Sequence, residues 1–108
     1  KIFCLENTWY SVISPEGCAS ILFHDTTKAK DAANSMKVSS DDLLEMGIAD
    51  KIINEPLGGA HNNYNEMASI LKSTILEESD KLLKLSKQEL INNRNNKYNN
   101  IGHIGKDE

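Results

Sequence analysis

Two short stretches carry the residue types that could do chemistry. In the first, Ser14-Pro15-Glu16-Gly17 follows the apolar segment Tyr10-Ser11-Val12-Ile13. Ser14 is a good N-cap, and Pro15 fits the first helical position, where its missing N–H costs nothing. Glu16 places a negative charge in the first turn, where the helix dipole favours it. Gly17 leaves room for another backbone or a ligand to come close. A strand ending at a capped, glycine-containing helix start can bind an anion or an acyl carbonyl. The same residues also make an ordinary strand-to-helix turn. The second stretch is Glu55-Pro56-Leu57-Gly58-Gly59-Ala60-His61. Pro56 biases Glu55 away from helix, and Gly58-Gly59 either turns the backbone into the next helix or presents N–H groups. His61 has a ring suited to proton transfer, yet no sequence neighbour orients it, and a loop-anchoring hydrogen bond is its plainer role. Ser14, Glu16 and Gly17 are thus the binding candidates, and Gly58, Gly59 and His61 the loop candidates. No residue stands out as catalytic.

The elements that must position these stretches follow from periodicity and punctuation. Tyr10 to Ile13 reads as a short buried strand, since Val and Ile suit a covered, pleated surface. Trp9 opens it as a packing residue. Ala19, Ile21, Leu22 and Phe23 make the following helix apolar on most sides, so burial is expected all round. His24 suits its C-terminus as a cation or a surface residue. Asp25 or Thr26 can cap a second helix over roughly 27–36, whose Ala29, Ala32, Ala33 and Met36 form a small-residue face. Ser39-Ser40-Asp41-Asp42 reads as cap and first turn of a third helix, stopped by Gly47. Ile48 to Ile53 is then a short extended segment. Ile2 to Leu5 is an apolar run that suits a strand or a helix end.

Asn62 to Asn65 can cap a long helix over roughly 64–85. Met67, Ile70, Leu71, Thr74, Ile75, Glu78, Leu82 and Leu85 approximate its inward stripe. Ser86-Lys87-Gln88-Glu89 fits a capping box that starts a last helix. Asparagine fills six of the nine positions 92–100 and lowers helix propensity there. Fraying is expected from Asn99 onward.

The 108 residues carry a net charge of −4 and are 39% hydrophobic. No basic patch with interleaved aromatics is present, which argues against nucleic acid as a partner. No apolar run approaches the roughly 20 residues of a membrane span. Cys4 and Cys18 make no metal spacing, so no metal site is expected, and they read most simply as free thiols of a reducing cytoplasm. One or two short strands do not form an independent sheet. The chain therefore reads as a piece that completes a core made by other segments.

The runs Ser14-Pro15-Glu16-Gly17-Cys18-Ala19-Ser20-Ile21-Leu22 and Glu55-Pro56-Leu57-Gly58-Gly59-Ala60-His61 have close counterparts in one family. The chain resembles the C-terminal part of the alpha subunits of bacterial acetyl-CoA carboxylase carboxyltransferases. The resemblance runs from about Thr8 to about Tyr98, nearly the whole chain but only the end of the family's proteins. It implies an α/β crotonase-like (ClpP/crotonase) fold, of which this part is mostly α-helical with one or two short strands. Residues 1–61 would belong to the core, 62–98 to helices for packing and subunit association, and 99–108 to a disordered tail. The implied reaction transfers a carboxyl group from carboxybiotin on its carrier protein to acetyl-CoA, forming malonyl-CoA for fatty acid synthesis in the cytoplasm.

The same resemblance implies three partners: the remainder of the alpha subunit, a zinc-bearing beta subunit and the biotin carboxyl carrier protein. This chain alone would bind no cofactor and be inactive. Ser14, Glu16 and Gly17 would lie on the biotin side of the cleft. The family's oxyanion glycines belong to an earlier Gly-rich segment, so that role is not carried to Gly58 or Gly59. Two other readings stand beside this one: a helical assembly module with no catalytic role, and a piece of another crotonase-superfamily acyl-CoA enzyme. The SPEGCASIL and EPLGGAH spellings argue against the latter.

Overall fold

The structure, a computed structural model, describes residues 1–102. Two strands, β1 (Phe3–Leu5) and β2 (Lys51–Ile53), form a two-stranded parallel sheet with Phe3 opposite Lys51, Cys4 opposite Ile52 and Leu5 opposite Ile53. The ladder runs one residue further at each end. The Asp50 amide donates to the Ile2 carbonyl at 2.8 Å, and the Glu6 amide to the Ile53 carbonyl at 3.0 Å. Parallel pairing requires a crossover, and here it contains three helices: α1 (Pro15–Phe23), α2 (Ala29–Met36) and α3 (Ser40–Glu45).

The core sits where α3 meets this sheet. Cys4, Leu43 and Ala49 are buried together, with Ile48 packed against them. α3 has the sequence-expected start: Ser39 Oγ accepts from the Asp42 amide, and the Asp42 carboxylate accepts from Ser39 N–H. Gly47 ends it at φ 74°, a conformation that costs glycine little. The Leu43 carbonyl then accepts from both the Ile48 and Ala49 amides, which turns the chain into β2. Ser40, fully buried, donates its hydroxyl to the Glu6 carbonyl at 2.7 Å and ties α3 to the end of β1.

α1 packs on α2, with the short 3₁₀ turn Thr26–Lys28 between them. Asp25 caps that turn, its carboxylate accepting from the Thr27 amide and hydroxyl. Ala19 and Ala32 are the buried residues of the two helices, so the small-residue face does bring backbones close. His24 closes α1 in the left-handed conformation and is exposed.

Three expectations are corrected here. Tyr10 to Ile13 is not a strand and is exposed; among the described residues its backbone hydrogen bond to another segment is the Tyr10 amide on the Val38 carbonyl. α1 is buried on one side only: Ile21, Leu22 and Phe23 face solvent. Trp9 is also more than half exposed, though it bridges antiparallel to Ser39. The physical reason is shared. β-branched and apolar residues gain from cover, but no element among the described residues supplies a ladder or an apolar surface on that side.

After β2 the chain forms the long helix α4 (Tyr64–Leu83) and then α5 (Lys87–Asn99). Asn63 Oδ1 caps α4 through the Glu66 amide at 3.1 Å. Along the expected stripe Met67, Thr74 and Glu78 are buried, whereas Ile75 is exposed. Glu78 is tolerated there because its carboxylate meets Lys81 at 3.3 Å and Lys51 at 3.7 Å. The capping box at Ser86 and Glu89 is present, and α5 forms despite its asparagines. Asn99 is its last helical residue, followed by Asn100 as the cap. The remainder of the expected disordered tail, 103–108, lies outside the described residues.

Candidate functional site

The helix start at Ser14 forms as the cap chemistry requires. Ser14 is extended (φ −70°, ψ 157°), its Oγ accepts from the Gly17 amide at 3.1 Å, and its carbonyl accepts from the Cys18 amide at 2.9 Å. Pro15 has no N–H. Among the described residues the helix start therefore keeps two open backbone donors, the Ser14 and Glu16 amides. Space at Gly17 is taken from within the chain: a Cβ there would lie 2.8 Å from Ile13 Cγ1. Gly17 lets the Ile13 side chain fold over the first turn. Glu16 is exposed beside it. An anion or carbonyl oxygen approaching this end would meet the dipole and the Ser14 and Glu16 amides, with the Glu16 carboxylate nearby.

The loop after β2 is more fully determined. Pro56 to Gly59 is a β-turn closed by the Gly59 amide on the Pro56 carbonyl at 2.8 Å, and Gly58 holds φ 88° at its third position. Gly59 follows at φ 106°, and the chain enters a 3₁₀ turn, Ala60–Asn62. The glycines thus serve the turn. Side chains crowd both: a Cβ on Gly58 would sit 2.9 Å from Asn62 Nδ2, and one on Gly59 3.1 Å from the His61 ring.

His61 does not anchor the loop. Its ring makes no hydrogen bond among the described residues, which corrects the expectation that it would. Glu55 is the anchor. One carboxylate oxygen accepts from the Ala60 amide at 2.8 Å and the other from the Asn7 amide at 2.7 Å, while the Glu55 amide donates to Glu6 Oε1 at 2.7 Å. These bonds, first those from Ala60 and Asn7 and then the nearby His61, hold the Glu55 carboxyl below the usual carboxylate range. Sequence reading passed over Glu55 because its partner Asn7 is 48 residues away. The only local signal is a carboxylate placed just before a Pro-x-Gly-Gly turn.

The two candidate stretches are not brought into one cleft. The hollow beside the loop is lined by Glu6, Asn7 and residues of the 55–61 segment, and takes nothing from the Ser14 helix start. A second cleft of about 760 Å³ lies between the sheet edge at Ile2 and Phe3 and the α4–α5 pair. There the Arg94 guanidinium lies 5.0 Å from the Tyr98 ring centre. Lys97 reaches back to Asp50 at 3.0 Å. No cluster of His, Cys, Asp and Glu suited to a metal ion occurs among the described residues, and Cys4 and Cys18 are free thiols. No helix among the described residues is long and apolar enough to cross a membrane.

Comparison with known proteins adds what geometry does not. Residues 1–102 match the family described as acetyl co-enzyme A carboxylase carboxyltransferase-like. A relative from Staphylococcus aureus strain MRSA252, named acetyl-coenzyme A carboxylase carboxyl transferase subunit alpha, is 47% identical over 102 residues. One of the same name from Fusobacterium nucleatum subsp. nucleatum is 48% identical over 102 residues. The aligned part is 94% of this chain but 32% and 33% of these two relatives. The chain thus spans about a third of the length of the curated relatives it matches.

Proposed function

Because this chain belongs to the acetyl co-enzyme A carboxylase carboxyltransferase-like family, we propose that it is part of a carboxyltransferase alpha subunit that serves fatty acid synthesis in the cytoplasm. The reaction moves a carboxyl group from carboxybiotin, carried on its own protein, to the methyl carbon of acetyl-CoA. The N–carboxyl bond breaks, the methyl carbon gives up a proton that ends on the freed biotin nitrogen, the new C–C bond forms, and malonyl-CoA and biotin result. The observation that carries this reading is the match over residues 1–102 to relatives named as that subunit.

Within that enzyme the chain contributes the last part of a crotonase-like core and the helices that follow it. Its partners are the rest of the alpha subunit, a zinc-bearing beta subunit and the biotin carboxyl carrier protein. Charge develops during the transfer, on the enolate and on the biotin ring, and needs fixed donors. This chain has the amides of Ser14 and Glu16 to offer at its helix start, because the Ser14 hydroxyl takes the Gly17 amide and Pro15 has none. Ser14 and Gly17 act by setting that turn on the biotin side of the cleft. The Glu55 clamp holds the following loop to the end of β1. The chain by itself is inactive and binds neither substrate.

The test is reconstitution. The 108 residues are joined in frame to the part of the Staphylococcus aureus alpha subunit that the match leaves uncovered, and mixed with a beta subunit. Malonyl-CoA formation from acetyl-CoA and carboxybiotin is expected in the complete mixture and in no component alone. A folded, associated complex without activity would leave assembly as the role. No association would overturn the reading.

A further inference from the structure

The cleft between the sheet edge and the α4–α5 pair has two kinds of lining. Ile2 and Phe3 at the sheet edge, Leu82 and Leu85 around the end of α4, and Leu90 in the first turn of α5 supply apolar side chains. The first four of these are half-buried. The same cleft is lined by Lys1, Lys51, Lys81, Arg94 and Lys97, against two carboxylates, Asp50 and Glu78. That is a local positive surplus in a chain whose net charge is −4. A volume of about 760 Å³ falls within the range of small-molecule sites, about 300–1,000 Å³.

Both carboxylates are engaged elsewhere. Glu78 is held by Lys51 and Lys81, and Asp50 by Lys97 and the Ile2 amide. Among the described residues Arg94 forms no ion pair; its guanidinium lies over the Tyr98 ring, 5.0 Å from the centre. Stacking covers one face of a guanidinium and leaves the N–H donors in its plane free to fork onto an oxyanion. A bare anion would leave the aliphatic lining wet. A neutral apolar molecule would cover that lining but desolvate an unpaired cation, which is costly. An amphiphilic anion meets both needs.

We propose that this cleft binds a linear fatty carboxylate of medium length, its carboxylate on Arg94 and its hydrocarbon along Leu82, Leu85 and Leu90 against the sheet edge. The inference goes beyond the family reading and stands on the cleft's own residues, none of which belongs to the Ser14 helix start or the 55–61 loop. Because α5 walls the cleft on one side and the sheet edge on the other, the bound ligand also fastens α5 to the sheet.

The probe is dodecanoate, kept below its micelle-forming concentration and titrated by calorimetry into the joined long chain described above, with its beta subunit where the two associate. Saturable binding of one dodecanoate per chain is expected, with affinity rising about 4-fold per methylene from octanoate to dodecanoate. Arg94→Gln, and replacement of dodecanoate by dodecanol, are each expected to weaken binding by about 10-fold or more. Lys72→Gln, on α4 away from the cleft, is expected to change nothing. Absence of saturable binding, dodecanol binding as tightly as dodecanoate, equal binding of acetate, or unchanged affinity in Arg94→Gln would each overturn the proposal. If Arg94→Gln loses helical circular dichroism, amide exchange in the unsubstituted chain decides: slowing across Lys87–Asn99 on adding dodecanoate supports the site, and unchanged exchange there overturns it. A chain that binds dodecanoate but makes no malonyl-CoA would retain the site and defeat the functional reading. An active chain that does not bind it would do the reverse.

Discussion

Glu55 illustrates how one carboxylate can fix a loop that has no core of its own. It joins the amides of Asn7 and Ala60, and its own amide is held by Glu6, so both ends of the Gly58-Gly59 turn are tied to the end of β1. Glu55→Ala is expected to speed amide exchange at Asn7 and Ala60 while leaving Ala49, in the buried cluster, unchanged. The pH dependence follows from the lowered pKa of the folded state, caused by those two amides and then by His61. The unfolded chain takes up this proton at higher pH than the folded chain does. The clamp therefore contributes fully above the ordinary glutamate range and is lost as pH falls through the lowered folded value. Asn7 and Ala60 amide shifts, followed by NMR from neutral pH downward, are expected to move together in that window. Independent movement would show that the two bonds are not one clamp.

Among the elements, α5 is the least supported. None of its residues is buried, and its amphipathic character is slight: Leu90 and Ile91 are its apolar residues besides the Tyr98 ring. It forms because Ser86 and Glu89 cap it reciprocally and because Arg94 stacks on Tyr98 one turn away. What ties it to the rest of the chain is Lys97, which donates to Asp50 Oδ1 and to the Gly47 carbonyl. Asp50 is shared, since its other oxygen accepts from the Ile2 amide at 2.7 Å. Partial burial pushes the Asp50 carboxyl up, but the bonds from Ile2 and Lys97 outweigh it and hold the group below its usual range. Lys97→Ala is expected to release α5: Asp50 titrates at higher pH by NMR, and exchange across Lys87–Asn99 quickens while Met67–Thr74 keeps its protection. An unchanged Asp50 titration would show that the ion pair is not populated in solution.

For the molecule as a whole, burial is scarce. The central cluster is Cys4, Leu43 and Ala49, with Ile48 beside it, and the α1–α2 pair is sealed chiefly by two alanines. Burying a large aliphatic side chain contributes about 1.5–3 kcal/mol, and most of those on α1 bury little here. The chain alone is accordingly expected to unfold broadly on heating, by circular dichroism, and to bind a hydrophobic dye before the transition. Joined to the part of a relative that the match leaves uncovered, it is expected to unfold in one sharper step with the dye excluded. A sharp, dye-free transition in the 108 residues alone would show that the exposed α1 face needs no cover.

Local chemistry determined most of the elements and few of their surroundings. Caps at Ser14, Ser39 and Ser86, the stop at Gly47, the strand at Lys51–Ile53 and the turn at Gly58-Gly59 were legible because each depends on residues within a few positions. Family membership was legible for the same reason, in two short runs of residues. Tertiary structure alone decided which strand pairs with Lys51–Ile53, that Glu55 rather than His61 holds the loop, and that Lys97 tethers α5. All three depend on partners about 50 positions away, and no local pattern encodes such a distance. The burial expected of Tyr10–Ile13 and α1 failed for the complementary reason. Apolar residues record a preference for cover, and no element among the described residues supplies it.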